Sequence, residues 1–111
     1  MKDFYGNALP AKNNELDYSN TVTINNAFSD TSKKVQYYEP EKDGIFIVGC
    51  SYQAGAYAWL VNEAYNNIRL VSCVIASGGA VSQNNGMCPA HKDNTYHCES
   101  VRGQWFFIPY K

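Results

Sequence analysis

Four cysteines, Cys50, Cys73, Cys88 and Cys98, and two histidines, His91 and His97, are the side chains here best suited to metal ligation or nucleophilic attack. Cys88 and His91 are separated by two residues, and His97 directly precedes Cys98. A structural zinc site needs four converging ligands, whereas neighbours on a strand point to opposite faces, so His97 and Cys98 cannot both turn to one metal. The same alternation separates His97 as a base from Cys98 as a nucleophile. The acidic residues do no better: Asp43 belongs to a turn, and Glu39, Glu41 and Glu63 are scattered over loops. The expectation is binding or assembly rather than catalysis, with no catalytic residue, no metal ligand and no cofactor.

One cross-link is geometrically reasonable. A three-residue loop centred on Asp93, joining two antiparallel strands, would set Cys88 directly opposite Cys98, within reach of a disulfide. Free buried thiols are nevertheless the default for all four cysteines, and the safer reading for Cys50 and Cys73 inside their strands; the cross-link is the alternative. An even count alone argues weakly for bridges without an export signal. Aromatic rings can stack on carbohydrate, and Tyr37, Tyr38, Tyr52, Tyr57, Tyr65 and Tyr96 fall near strand ends or loops. Core packing and subunit contacts account for most of them. The small polar loops at 51–56 and 77–86 suit a receptor-facing tip, with Ser51, Tyr52, Gln53, Tyr57, Ser82, Asn84 and Asn85 as candidates.

These residues must be positioned by strands. The 111 residues fit one domain, and 45% hydrophobic with 17% charged residues suits a packed globule. Nine Tyr and five Phe, with Val and Ile outweighing Leu and Met, favour a pleated, half-buried surface. Residues 1–20 show no useful periodicity and read as an arm or linker before a domain at 21–111. Strands are expected at 21–25 and 34–38, the latter alternating Val35 and Tyr37 against Lys34, Gln36 and Tyr38. Proline at 40 and the turn at 42–44 precede a central strand, Ile45, Phe46, Ile47 and Val48, expected to be buried on both faces, with Cys50 and Tyr52 continuing the Phe46 and Val48 side. Residues 54–65 fit helix or strand spacing, with strand preferred. A strand at 68–75 follows, then turn signals at 78–79 and 84–86 around a run containing Val81. Strands at 94–101 and 104–110, joined at Arg102-Gly103, close the chain. About seven or eight short strands with turns every eight to twelve residues predict an all-β, antiparallel, jelly-roll-like β-sandwich.

The last strand is apolar on both faces and must be hidden inside the domain or against another subunit. Phe46, Val48, Trp59, Trp105, Phe106, Phe107 and Ile108 are the expected core or subunit interface. A net charge of -1 and pI of about 6.0 leave no basic field for nucleic acid or an anionic membrane. Apolar runs are far shorter than the roughly 20 residues a bilayer span needs, and the first residues lack a signal-peptide layout. The expectation is a protein made in the cytosol.

The order of landmarks LDYSN at 16–20, YEPEKDGIFI at 38–47 and WFFIPYK at 105–111 resembles small terminal domains of bacteriophage tail fibres and related virion appendages. The resemblance spans residues 16–111. It implies a jelly-roll-like sandwich that trimerises about a three-fold axis at the exposed end of an appendage, binding a host surface glycan or protein or capping the virion. Its partners would be copies of itself and, through the N-terminal arm, other virion proteins, after assembly in the host cytoplasm. The four cysteines and the stretch at 87–94, standing where a glycine-centred turn is expected, depart from that pattern. Two other readings stay open: a purely structural fibre or capsid-decoration protein, and a small disulfide-stabilised exported β protein.

Overall fold

The computed structural model describes residues 15–51, 53–75 and 84–111, in which eight strands follow one another: β1 (Val22–Asn26), β2 (Lys34–Tyr38), β3 (Gly44–Cys50), β4 (Tyr57–Asn62), β5 (Arg69–Val74), β6 (Asn84–Ala90), β7 (Tyr96–Val101) and β8 (Gly103–Pro109). They form two four-stranded sheets, β1-β8-β3-β6 and β2-β7-β4-β5. Pairing is antiparallel and nested: β1 with β8, β2 with β7, β3 with β6, β4 with β5. A long hairpin rolled into two layers has this pairing, so the sandwich is a jelly roll. Residues 54–65 resolve into β4 and a one-turn 3-10 helix, Glu63–Tyr65.

The period-two pattern puts one side of each sheet inward. Phe46, Val48 and Cys50 of β3 and Trp105 and Phe107 of β8 face Ala58, Leu60, Cys73, Tyr96 and Cys98 of the other sheet, all at or near zero exposure. Phe46 is the hub of the aromatic core, 4.7 Å from Tyr96, 5.4 Å from Trp105 and 5.7 Å from Phe107 between ring centroids. Tyr38 closes the cluster from β2. Two buried polar ties join the sheets, Asn25 Nδ2 donating to Ser100 Oγ at 3.2 Å and Cys73 Sγ to Val48 O at 3.6 Å.

Several sequence expectations change. β3 is central, between β8 and β6, yet only its inward face is fully buried; Ile45 and Ile47 are half-buried on the outer face. In β2 the alternation holds, with Val35 and Tyr37 outward and exposed and Tyr38 inward. The Asn84-Asn85-Gly86 turn is instead the start of β6, because Asn84 and Asn85 pair with Cys50 and Gly49, and the ladder outweighs local turn preference. Trp59 lies on the outer face of its sheet, half-buried, and Phe106 on the outer face of the other; Ile108 is buried. Val81, Tyr52 and Ser82 lie outside the described residues.

Successive connections alternate between two ends. At one, Ser51 N donates to Arg102 O at 2.9 Å, Arg102 N to Asp30 O at 3.0 Å and Ala27 N to Gly103 O at 3.0 Å, lacing three loops together. At the other, Asp43 accepts from Lys92 N through its side chain and from Tyr110 N through its carbonyl. Residues 15–20 dock there too: Leu16 bridges Tyr110, Asp17 N donates to Pro109 O and Lys111 N to Glu15 O. Gly44 fits because a Cβ there would meet Ile108 O at 2.2 Å. Arg102 holds φ 54°, a left-handed conformation costing a side-chain-bearing residue about 1–2 kcal/mol.

Candidate functional site

The loop end gathers part of the expected receptor-facing set. Ser51, 2% exposed, and exposed Gln53 leave β3 beside Arg102, Phe28 and Ser29, and these five residues line a pocket of about 130 Å³. Asn84 and Asn85 stand at the same end, in β6, with Asn84 Nδ2 donating to Val74 O at 3.4 Å. Tyr57 is a strand residue whose hydroxyl donates to Glu99 Oε2 at 2.8 Å. Arg102, Phe28 and Ser29 were not singled out from sequence. An arginine just before a hairpin glycine reads as an ordinary turn, and its convergence with residues near 28 and 51 is a product of the rolled topology.

The alternative Cys88–Cys98 cross-link does not form, because β6 and β7 lie in different sheets and do not make a hairpin. Cys88 sits opposite Phe46 in one sheet, while Cys98 sits opposite Gln36 and Leu60 in the other. All four cysteines are free and buried. Burial pushes Cys50 and Cys88 up to about 11, Cys98 up to about 12, and Cys73 upward as well. At neutral pH they are protonated, small core side chains, without the thiolate that attacks or ligates. Cys98 faces the core while His97 faces outward, so the two do not form a dyad.

These thiols predict alkaline sensitivity. The unfolded chain ionises its cysteines near pH 8.5, whereas the folded chain keeps the protons to higher pH. The stabilisation is complete below that pH and is lost as pH rises through the folded-state values, at up to about 1.4 kcal/mol per pH unit for each thiol. Urea melts across roughly pH 8 to 10.5 should show a steadily falling midpoint. A flat midpoint would mean that the thiols ionise in the native protein.

The outer face of the β2-β7-β4-β5 sheet carries a run of rings. Tyr37 and Trp59 each lie 5.4 Å from His97, which also contacts Glu63 through Nδ1. The Arg69 guanidinium covers Trp59 at 4.8 Å, occupying the surface on which a sugar ring would stack. The other sheet's outer face is apolar: Phe106 pairs with Ile47, which pairs with Met87, 67% exposed, giving a row across three strands. At the opposite end from the loop pocket, Tyr65, Ile68, Leu70, Cys88, Pro89 and Tyr96 line an apolar cleft of about 300 Å³. Among the described residues no group of three or more His, Cys, Asp or Glu is arranged to hold a metal. No helix among them is long and apolar enough to cross a membrane. No family model, no curated protein and no solved structure matches this chain.

Proposed function

We propose that this chain is a tail-fibre-like domain of a bacteriophage appendage that assembles as a homotrimer and meets the host surface through its loop end. The observation that carries the reading is where the three segments of the resemblance fall. The Leu16 and Asp17 segment, the Asp43-Gly44 turn and the Pro109 to Lys111 exit are hydrogen-bonded neighbours at one end of the sandwich. That end is the base, with the arm leading back toward other virion proteins. The laced loops at the far end are left for recognition, which is how a rigid scaffold presents a binding surface.

The Phe106, Ile47 and Met87 row supports self-assembly, since an apolar strip across the outer face of a sheet suits burial against identical copies. Size exclusion coupled to light scattering should give a mass of three chains. Met87→Glu, at a position 67% exposed, should yield monomers that keep native amide dispersion and have a melting temperature independent of protein concentration. A clean monomer of the unaltered protein at micromolar concentration would overturn the assembly half of the proposal.

A further inference from the structure

The turn between β7 and β8 sets a guanidinium among neutral polar groups, and no carboxylate pairs with it among the described residues. Arg102 Nη1 donates to Phe28 O at 3.4 Å. A guanidinium has five N–H donors, and the others have no partner among the described residues. Asp30, whose carbonyl accepts from Arg102 N, commits its carboxylate to Ser32 N, Ser32 Oγ and Lys34 Nζ. Ser51 Oγ, in the wall of the same pocket, is buried and has no hydrogen-bond partner either. Native proteins rarely leave a buried hydroxyl such as that of Ser51 unpaired without a reason.

We infer that this pocket takes the carboxylate-bearing edge of an acidic sugar. The inference rests on the host-binding reading above and names its ligand class. Arg102 pairs with the carboxylate through its planar fork. Ser29, Ser51 and Gln53 exchange hydrogen bonds with ring hydroxyls, and Phe28 offers an apolar face to the ring carbons. Among the described residues the lining holds one cation and no carboxylate, which disfavours a cationic ligand and suits a single negative charge. A volume of about 130 Å³ is several times the roughly 30 Å³ of a liquid water, enough for one edge of a ring.

Heteronuclear NMR titrations of the full chain with glucuronic acid, N-acetylneuraminic acid, glucose and inorganic phosphate test it. Both acidic sugars should shift the amides of Ser29, Ser51, Gln53 and Gly103 saturably at millimolar concentration, with glucose weaker by about tenfold or more. Arg102→Gly suits the backbone at φ 54°, so it should keep the fold while weakening acidic-sugar binding by about tenfold or more. Ser51→Ala, which removes an unpartnered hydroxyl, should also keep the fold and weaken binding. Silence toward both acidic sugars, or an equal response to phosphate, would overturn the inference. Adhesion to bacteria with acidic surface polysaccharide separates it from the broader reading. If the unaltered protein and Arg102→Gly adhere equally, the pocket fails and host binding stands; if acidic sugars bind but no cell is held, host binding fails and the pocket stands.

Discussion

A chain lacking residues 104–111 is expected to have no folded state: insoluble, or soluble without a cooperative melt. β8 is an interior strand, hydrogen-bonded to β1 on one side and β3 on the other. Its loss strands both neighbours as open edges and takes Trp105 and Phe107 out of the core. Phe46 and Val48 would then face water. Circular dichroism melts and amide dispersion of the truncated protein provide the check. A soluble product with native dispersion would mean that β8 is an accessory to the sandwich, contrary to its place in the sheet.

Phe46→Ala should cost about 3–5 kcal/mol, a large part of the roughly 5–15 kcal/mol that holds a domain folded. The ring contacts Tyr38, Tyr96, Trp105 and Phe107, so its removal opens a void bounded by large, rigid neighbours that cannot collapse into it. Ile47→Ala, one residue along the same strand but facing outward and half-buried, should cost about 1 kcal/mol. Chemical denaturation of the two variants side by side measures the difference. Equal losses would contradict the facing of β3 and with it the assignment of the two outer surfaces.

The fold was legible wherever local pattern and tertiary role agree. Residues 34–38 coincide with β2, and the apolar runs around Phe46 and Trp105 are the cores of central strands. Facing was less legible, because an apolar residue beside another apolar residue does not say which one turns inward. Trp59 and Phe106 are outward for this reason, their strands being spent on Leu60 and on Trp105 and Phe107 instead. Partner choice was not legible at all. Cys88 and Cys98 are close in sequence, but the roll sends β6 and β7 to different sheets. The pocket was legible only in pieces: Ser51 and Gln53 read as loop residues, while Arg102 needed its backbone angle and a guanidinium with no carboxylate partner among the described residues to stand out. At Arg102-Gly103 the conformational burden falls on the residue with a side chain. The arginine takes the positive φ, and the glycine is required in β8, where a Cβ would meet Ser100 Cβ at 2.5 Å.

The nested pairing also sets the order in which the molecule can be built. Val22 near one end of the sequence pairs with Phe107 near the other, with the remaining ladders enclosed between them. Almost every ladder therefore closes a long loop before it gains a contact, a topology that folds in milliseconds to seconds rather than microseconds. On the ribosome the consequence is sharper: β1 and β3 emerge early and must wait for residues 103–109 before β8 can slide between them. The nascent chain spends that interval with Phe46 and Val48 uncovered, so any joining of subunits through this domain has to follow the emergence of β8.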